Sequence, residues 1–158
     1  MERFTIRPLR AVDLDLASGI HRSAFAPLGE SAWTRQDIAE IAAAPGAIGL
    51  LVARNGKEIG FALCRVAADE AELLTIAVQA DHRRLGAGRA LLGAMIERIR
   101  EAGATTAFLE VGADNPAACS LYEKSGFRAV GRRAGYYRRG EGRPAADALI
   151  MRLRVTSA

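Results

Sequence analysis

"HRRLGAGRALL", residues 82–92, sets two glycines and three arginines directly ahead of an apolar run with helical spacing. Upstream, "EAELLTIAV" (70–78) has the alternation of a strand, so the glycines fall in a strand-to-helix turn. The first turn of a helix carries unpaired N–H groups and a partial positive charge, and glycines let an anion approach them closely. The stretch therefore reads as a phosphate-binding mouth, with Arg83 and Arg84 available for charge-assisted hydrogen bonds at its rim. A tight turn with a solvated basic edge would produce the same letters, so the pattern alone leaves both readings open. Two known loops are excluded. No Gly-Lys-Ser/Thr ending is present for a nucleoside-triphosphate loop, and Leu91 stands where the last glycine of the dinucleotide fingerprint would fall.

The elements on either side follow from pattern. "FTIRPL" reads as a strand closed by Pro8, and Val12, Leu16 and Ile20 recur at helical spacing in the segment after it. Thr34, with Asp37 three residues on, predicts the N-cap of a second helix that ends near Pro45 and Gly46. "AIGLLVAR" and "EIGFALCRV" are joined through Asn55-Gly56, a strong hairpin signal, and "EAELLTIAV" follows a turn over residues 68–70, so an antiparallel meander is expected. A helix is expected from Gly88 to Ala102, with Leu91, Leu92, Met95, Ile96 and Ile99 on one face and Gly103 as its stop. "TTAFLEV" is the next strand. Asn115 as N-cap, Pro116 at the first helical position and Gly126 past the end delimit a short helix. "FRAVGRRAGYYRR" and "ADALIMRLRV" close the chain as strands, giving an α/β unit with at least one parallel pair.

Composition narrows the function classes. With 158 residues, half of them hydrophobic, and no linker-like stretch, the chain is expected to form one domain, residues 1–158. No window approaches the roughly 18 apolar residues of a membrane span, and the N-terminus has no signal-peptide core, so a soluble, cytoplasmic protein without membrane partners is expected. Cys64 and Cys119 show no CxxC spacing and His21 and His82 no ligand arrangement, so no metal is expected and the thiols should be reduced. A net charge of +4 suits an anionic ligand. Direct nucleic-acid binding is disfavoured, because the basic residues are dispersed, aromatics are only 6% of the chain and no nucleic-acid motif appears.

"RRLGAG", Arg83 to Gly88, is similar to the Arg/Gln-x-x-Gly-x-Gly/Ala motif of the GNAT superfamily of acetyl-CoA-dependent N-acetyltransferases, and the order of elements agrees. With "LLTIAV", "LEVGADNPAACSLYEKSGF", "RRAGYY" and "DALIMRL" the whole chain resembles the RimI type within it, bacterial enzymes that acetylate the N-terminal alanine of a small-subunit ribosomal protein. The resemblance implies a GNAT fold, a mixed, twisted sheet of about six or seven strands flanked by helices on both faces. It implies acetyl-CoA as co-substrate, its pyrophosphate held by Arg83, Arg84, Leu85, Gly86, Ala87, Gly88 and Arg89. Its pantetheine arm would pair with the backbone of Ile76, Ala77 and Val78 on a strand that splays from its neighbour, often through a β-bulge, and would meet Asn115. The acceptor implied is a protein N-terminus. At one place the chain departs from the type: a compact Pro-Trp is usual before the acceptor-side helix, whereas here Pro27 and Trp33 are separated.

Acetyl transfer to an amine needs a proton acceptor for the amine and a proton donor for the departing thiolate. Alternation along "TAFLEV" puts Glu110 on one strand face with Phe108, unusual for a core face and ordinary for a solvated one. The resemblance makes Glu110 the general base, directly or through a water. Tyr122 lies two helical turns after Asn115, on the same side of its helix; a core tyrosine would fit there equally, and the resemblance makes it the general acid. Tyr136 and Tyr137, with Trp33, fall where the family shapes its acceptor groove. An enzyme acting on a small amine or a lysine, and a silent module that binds coenzyme A or a partner, share these features and stay open.

Overall fold

The computed structural model describes residues 4–83 and 85–156. Seven strands form one sheet: β1 (Phe4–Pro8), β2 (Ala47–Arg54), β3 (Lys57–Ala67), β4 (Glu70–Val78), β5 (Thr106–Gly112), β6 (Arg128–Tyr137) and β7 (Ala146–Arg154). Their order is β1-β2-β3-β4-β5-β7-β6. All neighbours are antiparallel except β4 and β5. The mixed sheet expected from the sequence is thus present, with the β2–β3–β4 meander as read. Asn55 and Gly56 take positive φ values of 50° and 86°, the geometry a two-residue hairpin demands.

Four helices cover the sheet: α1 (Leu14–Phe25), α2 (Arg35–Ala43), α3 (Ala87–Glu101) and α4 (Pro116–Lys124). Residues 50–52 of β2 and 59–64 of β3 are buried without a break because both sheet faces are covered there. Leu50, Val52, Ala62 and Leu73 pack with Leu91, Leu92, Met95 and Ile99 of α3. Leu51, Phe61 and Leu63 pack on the other side with Ile20 of α1 and Ile38 of α2. Thr34 caps α2 reciprocally, its Oγ1 accepting from Asp37 N (3.1 Å) while Asp37 Oδ2 accepts from Thr34 N (2.8 Å).

Two expectations need correction. Val12 precedes α1 in a 3-10 turn and is 79% exposed, and Leu16 also faces solvent. The buried face of α1 is instead Leu14, Ala17, Ser18, His21 and Ala24, together with Ile20, so two polar residues occupy core-facing positions that a hydrophobic period passes over. The glycine-rich helix starts one residue early, at Ala87, because Gly86 serves as its N-cap in the left-handed conformation (φ 94°).

The site is positioned by β4 and β5. They pair only at Glu70–Thr106, Ala71–Ala107 and Glu72–Phe108, and then diverge. β4 shifts register against β3 after Leu73, so that Leu74 is the extra residue of a bulge. A bulge bends and twists its strand, and the remainder of β4, Thr75 to Val78, leaves β5 while staying on β3. The result is a wedge between two parallel strands, open at their C-terminal ends.

Candidate active site

The wedge widens into a cleft of about 950 Å³, at the upper end of the usual range of about 300–1,000 Å³ for small-molecule sites. The mouth of α3 lies at one end of it. Gly86 offers no side-chain cap and the first turn of α3 contains no carboxylate, so nothing from the helix itself satisfies its leading N–H groups. Gly86, Gly88 and Arg89 line the cleft. Arg83 also lines it, with one amino nitrogen donating to Ala24 O (2.5 Å) at the end of α1. Nearby, His82 Nδ1 is buried without a hydrogen-bond partner among the described residues. Arg84 lies outside the described residues. Leu85 is half-buried and does not line the cleft, and the side chains of Ala77 and Ala87 turn into the two cores, so only backbone groups of the two alanines can face a ligand.

Along the wedge, Ile76 and Val78 line the β4 wall and Glu110 the β5 wall. On β5, Ala107, Leu109 and Val111 face the α3 core, whereas Phe108 and Glu110 are half-buried on the opposite face. Phe108 and Glu110 thus share the face turned away from the α3 core, and of the two only Glu110 lines the cleft. The Glu110 side chain is 29% exposed and lies 3.4 Å from Arg133 Nη2.

Tyr122 projects from α4 into the same cleft and is 7% exposed. Its ring meets Phe127 edge-on at 5.9 Å. Burial, with smaller contributions from Cys119 and Tyr137, pushes its hydroxyl well above the range of a free phenol, so it carries its proton at neutral pH. Asn115 lines the cleft while Oδ1 accepts from Ala118 N (3.2 Å), so its carbonyl oxygen caps α4 and its amide nitrogen is left for a ligand.

The third wall joins Trp33, Tyr136 and Tyr137, which all line the cleft despite the long Pro27-to-Trp33 segment. Trp33 is gripped from α1: Ser18 Oγ donates to its carbonyl (2.8 Å) and His21 Nδ1 accepts from its N–H (3.0 Å). The His21 ring stacks on the indole at 4.7 Å, and burial lowers its pKa to about 4. Tyr136 and Tyr137 meet edge-on at 5.2 Å, and burial, then the negative charges of Glu110 and Glu30, pushes Tyr137 up to about 12. His21, Glu30, Glu72 and Arg139 also line the cleft, and the sequence reading had not placed them there. Glu72 had a usable signal, standing on the strand the motif follows; Glu30 and Arg139, 109 residues apart, had none.

The charges are sorted. Arg83 and Arg89 stand at the mouth of α3, and Lys124 ends α4, whose Leu121 lies beside Gly88. Glu30, Glu72 and Glu110 line the cleft with the aromatic wall, each paired with an arginine: Arg139, Arg65 and Arg133 in turn. Among the described residues, no three His, Cys, Asp or Glu side chains converge where they could hold a metal ion, and no helix is long and apolar enough to cross a membrane.

A parallel pair opened by a bulge, with an uncapped glycine-led helix at its end and a protonated tyrosine inside, forms a site suited to a ligand that sets an anionic group at the helix mouth and its reacting end beside the tyrosine. The acetyltransferase (GNAT) family model matches residues 16–127, and the chain belongs to that family. It is 38% identical over 153 residues to the ribosomal protein bS18-alanine N-acetyltransferase of Escherichia coli, covering 96% of this chain and 98% of that one. The crystal structure of the Escherichia coli ribosomal-protein-S18-alanine N-acetyltransferase superposes with a TM-score of 0.87 at 36% identity, covering 99% of this chain and 96% of that one. The fold is also that of yncA from Salmonella typhimurium with its cofactor acetyl-CoA, with a TM-score of 0.82 at 21% identity, covering 98% and 95% of the two chains. The chain is an N-acetyltransferase of the GNAT fold.

Proposed function

We propose that this enzyme transfers acetyl from acetyl-CoA directly to the N-terminal α-amine of a protein beginning with alanine, a small-subunit ribosomal protein of the bS18 kind, which would place its work in the cytoplasm. The observation that carries the reading is the wedge beyond the Glu72–Phe108 pair, with Glu110 on one wall and Tyr122 reaching in from α4. Identity to the bS18-alanine enzyme over nearly the full length supports the acceptor.

The residues present fit acetyl-CoA. The first N–H groups of α3, unclaimed by any cap, with Arg83 and Arg89, would hold its pyrophosphate, and backbone groups of Ile76 to Val78 with Asn115 would hold its arm. When bound, acetyl-CoA supplies a thioester carbon open to attack by a neutral amine. Glu110 accepts the proton of the acceptor's ammonium group, directly or through one water. The demand is modest: an α-amine with a pKa of about 7.7–8.0 is already about one-tenth neutral at pH 7, against about one part in a few thousand for a lysine near 10.4. Tyr122 holds its proton until a thiolate forms beside it.

The test is to incubate the purified protein with acetyl-CoA and peptides beginning with Ala, including the N-terminal segment of bS18, and to read products by mass spectrometry with thiol release. Acetylation at the α-amine supports the reading. Modification only of lysine side chains or small amines overturns the acceptor; no transfer to any acceptor overturns the catalytic reading.

A further inference from the structure

Arg139 is the most deeply buried charged side chain of the cleft wall, its side chain 3% exposed. It lies in a stretch, "YYRRGEGRP", that reads as a solvated basic loop. The guanidinium takes Asp114 in a two-point grip, Nε to Oδ2 at 2.9 Å and Nη2 to Oδ1 at 2.8 Å. Its Nη1 bonds to Glu30 Oε1, and its carbon lies 4.8 Å from the Tyr137 ring centre. Three connections thereby meet at one side chain: the α1–α2 segment through Glu30, the β5–α4 turn through Asp114, and the start of the β6–β7 segment, which carries Arg139 itself. Room for it exists because residue 112 is glycine; a Cβ there would collide with the guanidinium.

Burying an arginine against two carboxylates costs desolvation, and a second arginine, Arg143, already braces the same α1–α2 segment by donating to Pro27 O at 3.1 Å. Arg139 and Glu30 line the cleft beside Tyr137, and Asp114 holds the guanidinium from outside the lining. Glu30 spends one oxygen on Arg139 and remains 26% exposed at the lining, while Tyr137 stands close enough to both Glu30 and Glu110 to feel their charge. A fork that fixes Glu30 and the Tyr137 ring together sets the distance between a carboxylate and an aromatic face, and this pair suits a cationic group on the acceptor.

We propose that Arg139 is a positioning residue for the acceptor: it fixes Glu30 and Tyr137 so that they receive positive charge on the acceptor segment, and it acts on acceptor affinity and not on the acetyl-transfer step. This rests on the acceptor reading above. Asp114, directly before the α4 cap Asn115, ties the same guanidinium to the helix that carries Tyr122.

The experiment is steady-state kinetics with two Ala-initiated peptides, one with lysine and arginine at its next positions and one with glutamate there, on wild type, Glu30→Gln, Arg139→Lys and Arg139→Met. Glu30→Gln keeps an oxygen for Arg139 and is partly exposed, so it should fold. It should raise the KM of the basic peptide about tenfold, the loss expected when a charged hydrogen-bond partner is neutralised, and leave kcat and the acetyl-CoA KM within about twofold. Arg139→Met should do the same, and Arg139→Lys, which keeps the charge without the fork, should recover part of the loss. An unchanged basic-peptide KM in folded Glu30→Gln overturns the proposal, as does an equal rise in both substrates' KM values. If Arg139→Met does not fold, Glu30→Gln and Arg139→Lys decide. Wild type inactive on every peptide would overturn the acceptor reading and this proposal with it; an active wild type with indifferent variants overturns this proposal alone.

Discussion

Acid should release Trp33 before it unfolds the rest of the protein. Among the described residues, His21 is the titrating group that bonds to that residue's backbone, and it works as an acceptor: Nδ1 takes the Trp33 N–H at 3.0 Å, which a protonated imidazole cannot do. The ring lies among Phe25, Trp33 and Phe61, and desolvation lowers its pKa from 6.5 to about 4, with Asp37 partly opposing. A histidine with a depressed folded pKa is protonated first in the unfolded chain. Stability is therefore untouched at pH 7, falls as the pH drops below 6.5, and has lost its full share once the pH passes below about 4. That share is about 3 kcal/mol, from roughly 1.4 kcal/mol for each unit between the two values. The sequence holds a single tryptophan, so intrinsic fluorescence reports this contact directly. Urea unfolding followed by fluorescence from pH 7 to 4.5 should show the loss in wild type and a nearly flat profile in His21→Asn, whose Oδ1 can accept the same N–H without titrating. Parallel losses in both proteins over that window would refute the reasoning. Below pH 4 both should weaken together, since Arg7 and the Arg10 N–H hold the Asp13 carboxylate down to about 2 and its stabilising charge disappears as the pH falls through that range.

Tyr122→Phe keeps the ring against Phe127, so acetyl-CoA affinity should stay within about threefold while kcat falls by about 10²–10⁴, as loss of a general acid does; equal losses in the two would refute the acid role. Thr34→Ala removes the Oγ1 acceptor of the α2 cap and should cost about 1 kcal/mol, lowering the thermal midpoint by about 2–4 °C by calorimetry. Ala68 holds a left-handed conformation (φ 54°) in the β3–β4 turn, and Ala68→Asn should stabilise by about 0.5–1 kcal/mol in urea unfolding because asparagine tolerates that region better.

Local signals carried most of the elements. Asn55-Gly56 set the β2–β3 turn, Thr34 and Asp37 set the start of α2, and Asn115-Pro116 set the start of α4, because caps and two-residue turns are decided by the residues that form them. The bulge at Leu74 had no such signature: within "EAELLTIAV" any residue could be the extra one, and only pairing with β3 on one side and β5 on the other selects it. The inward face of α1 was misread for a related reason. Ser18 and His21 are polar yet buried because Trp33 supplies their partners from outside the helix, and the period of hydrophobic residues is blind to that. Glu110 and Tyr122 were legible only through the motifs around them; the contact of Arg139 with Glu30 and Asp114 was not legible at all, because a charged loop looks the same whether its arginine is solvated or buried.

Charge placement bears on how a basic chain can take a cationic amine. The net charge of +4 describes the whole surface, whereas a ligand in the wedge meets Arg83 and Arg89 at one end and, at the other, Glu30, Glu72 and Glu110, paired with Arg139, Arg65 and Arg133. At roughly the 8–10 Å screening length of physiological salt, an ammonium group at the aromatic wall feels Glu30 and Glu110 with the arginines paired to them more than Arg83 and Arg89 at the far end of the site. The division also assigns each substrate its end. A polyanion is drawn to the helix mouth, where uncapped N–H groups add to the arginines. A cationic amine is repelled from Arg83 and Arg89. The bulge in β4 makes both ends part of one reaction space: without it β4 and β5 would stay paired, the wedge between Ile76 and Glu110 would close, and two well-sorted charge patches would have no passage between them.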